Sequence, residues 1–450
     1  MIWGYPGSTD RYRTSYGINA TLNEINPAIN TIGRAVLDAM EKNMDRSDEV
    51  RIAYASKKAS ISNLWKNKKG ESRGLKKLNV IKQKRTIEDE LMKWVNQSEE
   101  RKEKYGNLMK GYREAYESLS EKDALSNQWY YGIASFGSSM LQFTMQNQGI
   151  GSLVNSDKDK DEIKEQLSSY RDKAKSHFED YDAQTEKDIL QAILETLYNK
   201  IPVSDLPDVY KDIIAEYDAD FGAYVDDLFE NSIFATKKNF MEFTEKPRKR
   251  HYNNDLAPEL ASSFQGKLME IRGQTSQVQT GLNKNKRLFI KALREMNPEK
   301  AYYPDANFTM RLTYGDVGGY EARDAVYYEY YTTLEGVMEK EDPDSKEFVV
   351  PEKLKELYQE KDYGRYAADD GTMRVCFLTD NDITGGNSGS PVLNGKGHLI
   401  GIAFDGNWEA MSGDIAFEPE LQRTISVDIR YVLFIIDKYA GAHNLLEEMN

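Results

Sequence analysis

The sequence predicts an α+β protein, with a large helical domain followed by a β domain that ends in a helix. Three observations carry this. From about residue 20 to residue 300 apolar residues recur every three or four positions. Near Pro304 the apolar period drops to two, and after Arg430 the helical spacing returns.

In the first region Ile87, Leu91 and Val95 share one predicted helix face. Ile163, Leu167, Tyr170, Ala174 and Phe178 share another, and Ile189, Ile193 and Leu197 a third. Lys- and Glu-rich residues fill the opposite faces. Loops are expected at Asn155-Ser156-Asp157 and at Ile201-Pro202, where proline ends a helix. No fixed-period repeat is present, so a solenoid is not predicted.

Beyond Pro304, Phe308, Met310, Leu312 and Tyr314 alternate with Thr309, Arg311 and Thr313, the pattern of a half-buried strand. Further strands are expected at Val326–Thr332, Met373–Thr379, His398–Phe404 and Arg423–Val427, separated by Gly and Asp/Asn turns. Arg430 to Glu448 reads as the terminal helix.

Composition narrows the function classes. The 450 residues carry a net charge of −14, which opposes nucleic-acid binding, since phosphate contacts need a basic surface. The basic clusters Lys66–Lys69 and Lys246–Arg250 sit among acidic residues and read as solvated surface. The single cysteine, Cys376, excludes an intrachain disulfide; set in Val375-Cys376-Phe377-Leu378, it reads as a buried, inert thiol. Four scattered histidines without metal-ligand spacing predict no metal, and no cofactor is expected. No apolar run reaches the roughly 20 residues of a membrane span. Met1–Gly7 lacks a basic segment leading into an apolar one, so no signal peptide is visible, and it reads as a strand running into a Pro-Gly turn. A chain that starts there is expected to be cut from a longer one.

The segment that carries chemistry is Asp382-Ile383-Thr384-Gly385-Gly386-Asn387-Ser388-Gly389-Ser390-Pro391, between two predicted strands. A serine hydroxyl attacks a carbonyl usefully only where preorganised donors meet the developing oxyanion. Gly385 and Gly386 permit backbone angles that a Cβ would forbid, so the amides of Gly386 and Ser388 could form such a hole. The bland alternative is a glycine-rich hairpin that contains a serine. A strand-to-helix nucleophile elbow is excluded, because Ser390 stands at its last glycine position and a strand follows. The loop of a chymotrypsin-like barrel fits better.

At these residues the chain resembles the bacterial dipeptidyl-peptidase VII and XI family. The resemblance extends to Phe404-Asp405-Gly406-Asn407-Trp408-Glu409 and Asp428-Ile429-Arg430-Tyr431, and upstream to Gly4–Tyr12 and Pro304–Thr309. It implies a chymotrypsin-like double β-barrel with a helical domain inserted between its halves. Residues 1–19 would then be a remnant of the N-terminal half, 20–300 the helical cap and 301–450 the C-terminal half with its terminal helix. It also implies peptide substrates with a free N-terminus, a homodimer, and a periplasmic or cell-surface setting.

Residue by residue, the resemblance makes Ser388 the nucleophile and Gly386 an oxyanion-hole donor. Asn387 stands where digestive proteases carry an aspartate that pairs with a freed N-terminus, which argues against that mode of activation. Asp405 is similar to the carboxylate that holds the substrate's α-ammonium, and Asn63 to a helical-domain asparagine sharing the task. The bland readings are a turn residue and a surface polar residue. Gly406 matches the specificity position, where arginine in relatives accompanies acidic substrates and glycine aliphatic or aromatic ones. Asp382, six residues before Ser388, is the rival selector, for basic side chains.

Ser388 needs a base and the base needs an orienter. His177, His251, His398 and His443 do not match the family's histidine, which with its aspartate lies before the position of Gly4. The chain is therefore expected to be an incomplete, inactive portion of such an enzyme. A non-catalytic helical binding module with a degenerate protease-like tail is the competing reading. The missing base favours it; the retained Ser388, Gly386, Asp405 and Gly406 oppose it.

Overall fold

A computed structural model of the chain describes residues 1–129, 135–345 and 347–449. The chain is mostly helical with one main antiparallel sheet. It divides into two compact units: Met1–Thr14, Gly70–Arg85 and Arg294–Asn450 form one, Ser15–Lys69 and Thr86–Leu293 the other. Among the described residues no helix is long and apolar enough to cross a membrane, and no group of His, Cys, Asp or Glu is placed to hold a metal ion.

The helical unit follows its apolar periodicity. Helix Lys160–His177 starts where Asp159 accepts from the amides of Asp161 and Glu162, and it buries Ile163, Leu167 and Ala174. Helix Ala183–Lys200 is capped by Asp182, buries Ile189, Ile193 and Leu197, and stops at Ile201, before Pro202. Leu91 and Val95 are likewise buried on helix Val80–Val95. The core that takes up the apolar faces of Lys160–His177 and Ala183–Lys200 is rich in aromatic rings. Phe143 stacks on His177 at 4.2 Å and meets Phe178, Phe234 and Phe240 edge-on.

Two titrating groups in this unit oppose one another. Burial pushes the Asp255 carboxyl up to about 6, against the pull of hydrogen bonds from the amides of Ala257 and Ile233 and the hydroxyl of Ser232. Burial lowers the His177 imidazole to about 4, with smaller effects of Glu186 upward and Lys57 downward. A raised carboxyl contributes stability at low pH that is lost as pH rises from about 4 to 6; a depressed imidazole contributes stability at neutral pH that is lost as pH falls from 6.5 to 4. The two act in opposite senses over this range, so each masks the pH dependence of the other. Asp255→Asn should therefore expose a loss of stability on acidification, and His177→Phe a loss on raising the pH over the same range. Urea midpoints at pH 4, 5 and 6.5 measure both; parallel profiles for the two variants would refute the assignment.

The other unit is built on a seven-stranded sheet. Its strands are β1 (Ile2–Gly4), β2 (Arg311–Thr313), β5 (Tyr331–Thr333), β6 (Arg374–Thr379), β7 (Ser390–Leu393), β8 (Leu399–Gly406) and β9 (Thr424–Asp428), in the order β2-β1-β7-β8-β9-β6-β5. A separate hairpin joins β3 (Tyr320–Arg323) to β4 (Val326–Tyr328). The expected strand Val326–Thr332 is thus two, divided between the hairpin and the main sheet. Ile2, Phe377, Val392 and Ala403 are buried together on the main sheet. The chain after β9 is helical over Ile429–Tyr439 and again over His443–Met449.

Two expectations need correction. The alternating segment from Phe308 to Tyr314 forms only the three-residue edge strand β2, because Phe308 adopts a left-handed φ of 62°. Its apolar row is turned outward: Phe308, Met310, Leu312 and Tyr314 are exposed, while Arg311 and Thr313 are half-buried. Trp3, paired with Leu312, is exposed beside it. Cys376 is half-buried rather than buried, with its thiol pushed up by burial.

Candidate active site

Antiparallel pairing of β7 with β8 brings the start of one beside the end of the other. Ser390 faces Ala403, and the Gly389 amide donates to the Ala403 carbonyl at 2.8 Å. One step earlier, the exposed Ser388 hydroxyl donates to the Phe404 carbonyl at 3.3 Å. The β8–β9 register shifts between Ala403 and Asp405, a bulge that re-aims the strand as it leaves Ser388. Ser388, Asp405 and Gly406 therefore lie on adjoining strand ends.

The loop before Ser388 is held by the buried Asn387. Its side-chain oxygen accepts from the Thr384 amide at 3.2 Å, and its own amide donates to the Thr384 carbonyl at 3.1 Å. Gly386 sits at φ +105°, a conformation L side chains rarely adopt. The amides of Gly386 and Ser388 donate no hydrogen bond among the described residues.

Asp405 is exposed, and one of its oxygens accepts from the Gly406 amide at 2.8 Å. A Cβ built on Gly406 would lie 3.0 Å from Cβ of Ala410, so the glycine abuts the turn Trp408–Ser412. That turn is fixed by the buried Asn407, which caps it, donates to the Leu421 carbonyl at 2.7 Å and accepts from the Arg423 amide at 2.9 Å.

Asp382 is ion-paired with Arg11 at 2.8 Å, and its amide donates to Thr313 at 3.2 Å. A carboxylate so neutralised is a poor selector of basic side chains. Asn63 is exposed on helix Asp48–Lys77, in the helical unit. His177 and His251 belong to that unit too. In the sheet unit His398 lies just before β8 and His443 pairs with Asp437 at 3.1 Å; neither is hydrogen-bonded to Ser388.

Sequence reasoning missed what lies behind the loop that carries Ser388. The segment Gly4–Gly7 runs against it, with the Gly7 amide donating to the Gly385 carbonyl at 2.6 Å. The glycines at 4, 7, 385 and 386 were a visible signal, but nothing in one dimension links the two pairs.

An exposed serine after a glycine-rich loop, beside the end of an antiparallel neighbouring strand, is an arrangement that the serine-peptidase class uses. The Peptidase S46 family profile matches residues 1–450, and the chain belongs to that family. It is 40% identical over 463 residues to a dipeptidyl-peptidase 7 of Phocaeicola vulgatus, covering all of this chain and 62% of that protein. It is 35% identical over 456 residues to an Asp/Glu-specific dipeptidyl-peptidase of Porphyromonas gingivalis, again over all of this chain and 62% of the relative. The crystal structure of Porphyromonas endodontalis DPP11 in complex with the dipeptide Arg-Glu superposes with a TM-score of 0.92 at 34% identity, over 99% of this chain and 63% of that one. The chain thus spans less than two thirds of the length of these relatives.

Proposed function

We propose that this chain carries the nucleophile, the oxyanion donors and the N-terminus reader of a serine dipeptidyl-peptidase that prefers aliphatic or aromatic second residues. The observation that supports it most is the placement of Ser388, the unengaged Gly386 and Ser388 amides, and Asp405 on adjoining ends of β7 and β8. Ser388 Oγ attacks the carbonyl of the second residue, and the two amides take the oxyanion. The Asp405 oxygen not bonded to Gly406 receives the substrate ammonium, so the charge-assisted bond counts two residues from the N-terminus. Gly406 leaves room for an apolar side chain.

Among the described residues the Ser388 hydroxyl is bonded to no side chain that could serve as its base. Its acceptor, the Phe404 carbonyl, cannot take the proton, and an imidazole from outside these 450 residues would complete the site. The outward apolar row of Trp3, Phe308, Met310, Leu312 and Tyr314 supports the reading of this sheet as one half of a two-barrel body, since so large an apolar face favours cover.

Two measurements test this. The 450-residue chain should hydrolyse dipeptidyl substrates far below about 1 s⁻¹, the lower end of ordinary enzyme rates; faster turnover would mean that a base lies within it. Calorimetry should show binding of a dipeptide with a free amine and loss of that binding on N-acetylation. Asp405→Ala should weaken the free-amine dipeptide by about 1.5–3 kcal/mol, tenfold or more. Asn63→Ala is compared in the same assay. Equal weakening of free and acetylated forms would leave Asp405 a structural role only.

A further inference from the structure

Residues 4–11 touch the nucleophile loop along much of its length. The Gly7 amide donates to the Gly385 carbonyl at 2.6 Å, and Arg11 pairs with Asp382 at 2.8 Å where the loop begins. A Cβ on Gly386 would strike the Tyr5 carbonyl oxygen and lie 3.0 Å from the Gly7 amide nitrogen. A Cβ on Gly7 would lie 2.8 Å from the Gly385 oxygen, and one on Gly4 would strike the side chains of Asn387 and Ser390. Ile2 pairs with Val392 just beyond the loop. The two backbones are thus in direct contact, and glycine stands on both sides of it.

Such contact has a consequence for Gly386. Its φ of +105° belongs to a region with little intrinsic preference, and a glycine-rich loop in isolation samples many others. Oxyanion donors work because they are aimed beforehand and need no reorganisation during reaction. The loop's internal bonds, through Asn387 to Thr384, close the turn, and the aim of Gly386 is set by what it rests on. Digestive proteases set the equivalent loop with a freed N-terminus and an aspartate; here Asn387 is neutral and meets Gly4.

Resting on the reading of Ser388 as nucleophile, we infer that Gly4, Gly7 and Arg11 are positioning residues: the segment Gly4–Gly7 is a fixed backing that holds the oxyanion loop ready, and the Arg11–Asp382 pair anchors both at one end. The site needs no cleavage event to form.

The test uses the 450-residue chain and two ligands that share a free amine and an apolar second residue, a dipeptide and the matching dipeptide boronic acid. Addition of Ser388 Oγ to trigonal boron forms an O–B bond; the hydroxyl proton leaves to solvent, and the boron becomes a tetrahedral anion whose hydroxyl takes the oxyanion place. The dipeptide makes no such adduct. Boron-11 NMR reads the tetrahedral signal and calorimetry reads both affinities. Gly7→Ala should weaken the boronate by about tenfold to a hundredfold, the scale of a misplaced oxyanion donor, and leave dipeptide affinity within about twofold. Arg11→Met should do the same more mildly, and Arg11→Lys, which restores the charge, should recover most of it. If Gly7→Ala does not fold, the Arg11 pair decides the matter. Parallel weakening of both ligands, or no change in either, overturns the inference. The boronate is added with free imidazole, which supplies the base; a wild-type chain that binds the dipeptide but gives no tetrahedral boron under that condition overturns instead the assignment of Ser388.

Discussion

On the proposed reading of Gly406, replacing it by arginine should move selectivity from apolar toward acidic second residues. Gly406 stands at the end of β8, its backbone adopts no left-handed angle, and a Cβ there would lie 3.0 Å from Ala410 Cβ, a contact that needs the turn Trp408–Ser412 to give by a few tenths of an ångström. Where the turn gives, an arginine would place its guanidinium where, on the proposed reading, the substrate side chain ends. An apolar side chain then loses its space and meets a charge without a partner. A Glu or Asp side chain gains a charge-assisted, bidentate bond. With about 1.5–3 kcal/mol on each side, the ratio of affinities should move by roughly 4 kcal/mol, about a thousandfold. Calorimetry of Xaa-Leu and Xaa-Glu dipeptides on both proteins gives the ratio. No movement in a folded variant would clear Gly406 of the role. Asp382 would then be the next residue to replace, together with its partner Arg11.

In the helical unit the largest single loss should come from Phe143→Ala. Phe143 is 4% exposed and joins four rings, stacked on His177 and edge-on to Phe178, Phe234 and Phe240. Truncation removes the apolar burial and leaves a cavity that helices pinned on several sides cannot close. The expected cost is about 3–5 kcal/mol, with Phe143→Leu recovering more than half. Urea denaturation followed by far-UV circular dichroism measures it. A loss below about 1 kcal/mol would mean that the neighbouring helices collapse into the gap.

Helix faces were legible because a helix packed on one side repeats its demand for apolar residues every turn. Ile163, Leu167 and Ala174, and Ile189, Ile193 and Leu197, are buried as their spacing requires. The caps Asp159 and Asp182 are local as well. The turn before Ser388 was legible for the same reason: its glycines and Asn387 act within a few residues of one another. Period two failed at Phe308–Tyr314, since alternation states that two faces differ and not which of them meets the sheet's core. Pairing with β1 and the left-handed Phe308 decided that Arg311 and Thr313 turn inward. The chemistry around Ser388 likewise depended on distant chain. The Phe404 carbonyl reaches it through the β7–β8 register, Arg11 neutralises Asp382 from 371 residues away, and Gly4–Gly7 backs Gly386 only because β1 lies between β2 and β7. Residue identities and local turns were set by neighbours in the sequence, where chain entropy is small. Which side chain is neutralised, which carbonyl faces Ser388 and which apolar face is left open were set by sheet order, which no local pattern encodes.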